Sequence, residues 1–225
     1  GYSSAVGGGW LNTAAAPFAV VAGGSRNTGD ADAATVSGGA SNTAAADWSV
    51  VGGGRNNTLH VGGQSSVVAG GNSNTVAAAL STVGGGKANT VTSSGYGSTI
   101  GGGLNNVAES TYSTISGGDD NRANGYATVV GGGRFNTAVA TQATIAGGYK
   151  NYVNSDGGAV GGGQENSVLA SLAVVGGGQE NLITASAGVI GGGSDNTVDT
   201  IHGVIAGGEQ NHVGAYASFV GGGLS

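Results

Sequence analysis

The stretch Asn12-Thr13-Ala14-Ala15-Ala16-Pro17-Phe18-Ala19-Val20-Val21-Ala22-Gly23-Gly24-Ser25-Arg26 decides the fold, because its pattern returns along the whole chain. The recurring signal is an apolar residue, a Gly, Ala or Ser, a Gly-Gly pair, two variable residues and an Asn. Its apolar member is Val6, Val21, Val36, Val51, Val68, Val83, Ile100, Ile115, Val130, Ile145, Val160, Val175, Ile190, Ile205 and Val220. The interval is fifteen residues, except for seventeen from Val51 to Val68 and from Val83 to Ile100. Such a period means one structural unit stacked on itself.

Inside one unit, Asn is followed by Thr, an apolar residue and then a small one, as in Asn74-Thr75-Val76 with Ala78. This alternation reads as a half-buried strand. After a corner such as Pro17-Phe18, Asp47-Trp48 or Tyr126-Ala127, a second strand carries a small residue and then the Val/Ile. A Gly-Gly pair, two corners and many β-branched residues exclude a helix. The expectation is an all-β, single-domain parallel β-solenoid (a β-roll) over 1–225, with about fifteen coils and two short strands per coil. Stacked at one inter-strand spacing per coil, it would run to roughly 70 Å.

Composition agrees. The chain has 225 residues, 51 of them Gly, with 8% charged and 5% aromatic residues, which leaves no material for a thick core. There is no Cys, hence no disulfide or thiolate metal site. A net charge of −6 argues against nucleic-acid binding, and no apolar run of about 18 residues offers a membrane span. The absence of Met and a start in mid-repeat lead us to expect a segment of a longer fibrous chain.

The second strand lacks charge on either face. Its outward column reads Val20, Thr35, Val50, Val67, Thr82, Thr99, Thr114, Val129, Thr144, Val174, Val189 and Val204, and two residues later come only Gly, Ala or Ser. A strand buried on both sides reads this way. The first strand instead turns Asp30, Glu109, Asn124, Asn154 and Asp199 outward. An apolar stripe of roughly 700 Å² is more than monomers usually expose, and burial among identical chains is the expected outcome.

Three further columns follow from stacking. Asn12, Asn27, Asn42, Asn57, Asn74, Asn89, Asn106, Asn121, Asn136, Asn151, Asn166, Asn181, Asn196 and Asn211 predict a structural hydrogen-bonded ladder. The variable turn residues form an exposed ridge and a candidate recognition surface: Arg26, Arg55, Lys87, Asp119, Asp120, Arg134, Lys150, Glu165, Glu180, Asp195 and Glu209. The opposite corner gathers Tyr2, Phe18, Trp48, Tyr96, Tyr112, Tyr126 and Tyr216, interrupted by Ala and Gly, and the two longer coils add His60–Gln64 and Ser93–Tyr96 on that side. Chemistry is weakly represented. A calcium-binding roll needs an Asp in every repeat, and a phosphate loop needs Gly-Lys-Ser/Thr before a helix. His60, His202 and His212 form no triad, so no catalytic, cofactor or metal residue is assigned and no enzyme is expected.

Segments such as Tyr2-Ser3-Ser4-Ala5-Val6-Gly7-Gly8-Gly9 and Tyr216-Ala217-Ser218-Phe219-Val220-Gly221-Gly222-Gly223 resemble the head repeats of trimeric autotransporter adhesins. They are also similar to Gly-rich repeats of phage tail-fibre-like proteins. The resemblance covers the whole chain on a short motif. It implies a left-handed parallel β-roll packed as a homotrimer on a cell or virion surface. The fifteen-residue unit and the Gly-Gly pair depart from the adhesin pattern, and no neck, coiled coil or anchor is expected within these 225 residues. The expected function is a structural or adhesive fibre segment, head or stalk, presenting surface to a receptor, matrix or glycan. A phage tail-fibre shaft and an ice-binding solenoid are the alternatives.

Overall fold

The computed structural model describes residues 2–224, and among them there is no helix. The fold is an all-β parallel solenoid of about fourteen to fifteen coils with two two-residue strands in each. The chain divides into two compact units, 1–118 and 119–225, built from the same coil.

In the first unit, one sheet takes the Val-side strands from Ala5–Val6 to Thr114–Ile115, and the other takes the Asn-side strands from Thr13–Ala14 to Val107–Ala108. In the second unit, the corresponding sheets run from Val129–Val130 to Phe219–Val220 and from Arg122–Ala123 to His212–Val213. Pairing is parallel and in register with the repeat, so Val20 faces Thr35 and Val21 faces Val36. The same register holds across the longer coils, where Val51 pairs with Val68. Their extra residues form an added tight turn at the corner, closed by Gly63 N–H donating to the His60 carbonyl at 2.7 Å and Gly95 N–H to Thr92 at 2.9 Å.

Each coil interior is only a few side chains wide. Val21, Val36, Val51, Val130 and Ile190 are fully buried from one sheet, and Leu59, Val76, Val153 and Ile183 from the other. The facing strand contributes a small side chain in some coils, as Ala44 and Ala138 do, and a large one in others, as Val153 and Ile183 do. No pocket opens among the described residues.

What bends the chain into this loop is backbone conformation at two positions per coil. One is the residue before Asn (Leu11, Arg26, Asn56, Phe135, Glu180) and the other lies at the opposite corner (Phe18, Trp48, Tyr112, Leu172). All sit at φ between 53° and 60°. The left-handed region costs an L-residue roughly 1–2 kcal/mol, and more for β-branched side chains. No Val, Ile or Thr occupies either column in any coil. The left-handed residue also reverses hydrogen-bond direction. In the strands, N–H groups donate forward to the next coil, as Ala5 does to Ala19 at 2.9 Å. At the corners they donate backward, as Phe18 does to Tyr2 at 2.8 Å and Arg26 to Trp10 at 2.9 Å.

The glycines divide by cause. At Gly178 (φ 93°) an added Cβ would fall on the Gly193 carbonyl oxygen of the next coil, so both torsion and space demand glycine. At Gly177 the nearest atom to an added Cβ is 4.0 Å away. The position before the pair is tight for another reason. A Cβ on Gly176 would meet the carbonyl of Gly191, so coil stacking within the chain suffices to keep this column small. Accordingly, Gly178→Ala should lower unfolding free energy by about 2 kcal/mol or more, and Gly177→Ala by less than about 1 kcal/mol. Chemical denaturation followed by far-ultraviolet circular dichroism measures both.

Candidate functional surfaces

The Asn column lies inside the turn rather than on it. Asn27 to Asn211 are buried, and Asn12 is partly so. Each side chain ties its own coil to its neighbours. Asn166 Nδ2 donates to the Gly162 carbonyl within its coil at 3.0 Å and to Gly178 of the next coil at 2.9 Å. Its Oδ1 accepts the Asn181 backbone N–H at 3.1 Å and the Asn181 side-chain amide at 2.9 Å. Every group on this amide is therefore used. Asp could not donate, and Ser could not reach both carbonyls, which explains the strict choice of Asn.

A second buried ladder escaped the sequence reading. Ser66, Ser81, Ser98 and Ser113 are buried at the start of the Val-side strands. Ser66 Oγ accepts the Ser81 N–H at 2.9 Å, Ser81 Oγ the Ser98 N–H at 3.3 Å, and Ser98 Oγ the Ser113 N–H at 3.0 Å. Ser81 Oγ also donates to the Gly95 carbonyl at 2.9 Å. These hydroxyls run through the two longer coils, where Ser66 and Ser98 also donate to the Ala78 and Ser110 carbonyls. Five consecutive Ser, from Ser49 to Ser113, in a column that holds Ala19, Ala34, Ala143 and Ala173 in other coils were the available signal.

The turn ridge is exposed or half-buried, as its residue types suggest. In the first unit, Arg26, Arg55 and Lys87 are its charges, with the Arg26 guanidinium 4.6 Å from the Trp10 ring centre. In the second unit, opposite charges meet between successive coils: Arg134 Nε lies 3.0 Å from Asp119, and Lys150 Nζ 3.5 Å from Glu165. Phe135 and Tyr149 meet edge to face at 5.9 Å between centres. The Lys150 ammonium is held above its ordinary range, first by the charge of Tyr149 and then by Glu165. The part due to the Glu165 carboxylate is present at neutral pH and is lost only as pH rises through the elevated value. Asp120 lies beside Asp119, and Glu180, Asp195 and Glu209 continue the ridge on the coils after Glu165.

The other corner is ordered more strictly than its composition suggests. Its left-handed residues read Ser3, Phe18, Ala33, Trp48, Ser65, Leu80, Gly97 and Tyr112 in the first unit. In the second they read Ala127, Gln142, Gly157, Leu172, Ala187, His202 and Ala217. Small and large alternate without exception. The reason is contact between neighbouring coils: a Cβ on Gly97 would lie 2.8 Å from Tyr112 ring atoms, and one on Gly157 3.0 Å from Leu172 Cδ2. At these two places the large side chain leans over the left-handed residue of the preceding coil, which must be small.

The oligomer-face column stands outward from its sheet, with Val20, Val129, Val174 and Val189 each more than a third exposed. The opposite sheet turns out Thr13, Thr28, Thr43, Thr58, Thr75 and Thr90 in an unbroken file. His212 pairs with Asp199 at 2.9 Å, and His202 packs edge-on against Tyr216 at 5.9 Å, while His60 lies exposed at an added turn. Among the described residues no group of three His, Cys, Asp or Glu could hold a metal ion, no pocket opens, and no helix is long and apolar enough to cross a membrane.

No protein-family model matches the chain, and no characterised protein matches it by sequence. The Asn ladder makes a sharp prediction. Asn166→Ala strips partners from two carbonyls and one buried N–H, so it should cost about 2–4 kcal/mol. Asn72→Ala, exposed on the ridge and outside the left-handed positions, should cost less than about 0.5 kcal/mol by the same denaturation measurement.

Proposed function

We propose that this chain is a structural and adhesive fibre segment that assembles through its Val-side sheet as a homotrimer of left-handed β-rolls. It presents its corners and turn ridge to a receptor, matrix or glycan outside the cell or on a virion. The observation that supports the assembly most is the outward column from Val20 to Thr114 and from Val129 to Val204. It holds no charged residue, whereas the outward column of the other sheet admits Arg122, Tyr152 and His212. Flat, uncharged and narrow in side chain, it suits close packing against an identical column, since symmetry lets the same stripe be buried on every subunit. A head, a stalk and a tail-fibre shaft are all served by this assembly. A non-enzymatic role fits a surface of ladders and ridges.

Neighbouring residues provide the test. Val130 is fully buried and Val129 is 39% exposed on the opposite face of the same strand. Val130→Asp should prevent folding, because an unpaired carboxylate would enter a core only a few side chains wide. Val129→Asp should keep the β-rich circular dichroism and reduce the mass from about three chains to one, where one chain is 21.1 kDa. Light scattering coupled to size exclusion reads the mass, and a wild-type monomer would rule the assembly out.

The Thr file from Thr13 to Thr90 favours a second reading, an ice-binding face, since in-register hydroxyls and methyls at about 4.8 Å can order water. Thermal hysteresis at micromolar protein, abolished by Thr58→Lys, is the expected result for that reading. No hysteresis would dismiss it.

A further inference from the structure

We propose that the alternating corner of the first unit is a docking ladder for an extended, uncharged β-1,4-linked polysaccharide. The inference rests on the attachment role proposed above and names its ligand. Phe18, Trp48, Leu80 and Tyr112 occupy the left-handed position of every second coil. They are 59%, 65%, 54% and 50% exposed, although three are aromatic and all are large and apolar. Large apolar side chains repeated on one line at this exposure mark an interaction site more often than a solvated surface. The alternation places them about 9.6 Å apart, two inter-strand spacings. Coil-to-coil contact accounts for the small residues between them. That contact requires bulk but not apolarity, since Gln142 and His202 are among the large residues of the same alternation in the second unit. A further ring contact, Tyr112 edge-on to Tyr96 at 5.9 Å, leaves Phe18, Trp48 and Leu80 unexplained.

The ligand follows from period, shape and charge. In an extended β-1,4-linked chain successive sugars flip over. The same apolar ring face therefore returns once per disaccharide, close to the spacing of two coils. No pocket opens beside the ladder, so the partner must lie along a convex line rather than enter a cleft. Asp32 and Asp47 flank Trp48, with Asp47 Oδ1 accepting the Asp32 N–H at 3.1 Å, and the cations Arg26, Arg55 and Lys87 lie on the opposite turn. Carboxylates here accept hydrogen bonds from sugar hydroxyls and repel anionic polymers. The ladder therefore selects neutral glycans over uronic acids or nucleic acid.

The test uses the whole chain in pull-down on microcrystalline cellulose and on chitin, with granular starch as the α-linked control. Cellohexaose titration of a Trp10→Phe background leaves Trp48 as the reporting fluorophore. Retention on at least one β-linked solid but not on starch is expected, with a blue shift of Trp48. Trp48→Ala and Phe18→Ala should each weaken binding by about tenfold at unchanged circular dichroism and mass. Leu172→Ala, in the second unit, should leave binding unaltered. Failure to bind either solid, equal retention on starch, or binding indifferent to Trp48→Ala would overturn the ligand. Because mass is read in the same samples, a trimer that does not bind separates loss of this inference from loss of the assembly.

Discussion

Everything in this molecule depends on one constraint: each coil must lay its backbone directly over the last, in register, at a turn where side chains would otherwise leave carbonyls stranded. The Asn amide resolves that turn. It bonds two Gly carbonyls and accepts the next Asn N–H, so adjacent coils share each side chain. Close stacking in turn places the Gly193 carbonyl where a Cβ on Gly178 would be, and it holds the residue before the pair to Gly, Ala or Ser. A thin core is then sufficient. Burying Val175 or Ile190 contributes roughly 1.5–3 kcal/mol per side chain, repeated in every coil. Stability of this kind accumulates by nearest-neighbour contact rather than from one central core.

Much of this was legible from residue spacing. The Val/Ile column, the Asn column and the two strands per coil follow from a fifteen-residue period, and the two longer intervals locate the added turns near His60 and Gly95. The direction of turning was not legible from Gly alone, because residues such as Arg26, Trp48 and Tyr112 take the left-handed conformation as well. Its signal was negative: the absence of β-branched residues from two columns. The smallness of Gly176 and its equivalents admits an interchain reading, yet stacking against the next carbonyl suffices to explain it. Interchain packing must therefore be argued from the outward Val and Thr column instead.

The surfaces separate by what in-register stacking does to them. Along the ridge, Arg134 with Asp119 and Lys150 with Glu165 pair between coils at little energetic gain, since both pairs are largely exposed. Glu165, Glu180, Asp195 and Glu209, by contrast, follow one another with the same sign. Along the other corner, stacked bulk must alternate, and it does, from Ser3 to Ala217. The interruptions by Ala and Gly, which make the aromatic column look irregular in the sequence, are the small half of a two-coil period. A slip of one coil would set large upon large. The same alternation thus specifies register while spacing Phe18, Trp48 and Tyr112 along a line.

The Asn ladder is the claim on which the rest stands, and side-chain amide hydrogen exchange followed by NMR tests it most directly. If each buried amide bridges two coils, the Nδ2 protons of Asn42, Asn89, Asn166 and Asn181 should exchange orders of magnitude more slowly than those of exposed Asn56, Asn72 and Asn105. Equal exchange in the two sets would show that the amides face water, and the ladder would be wrong.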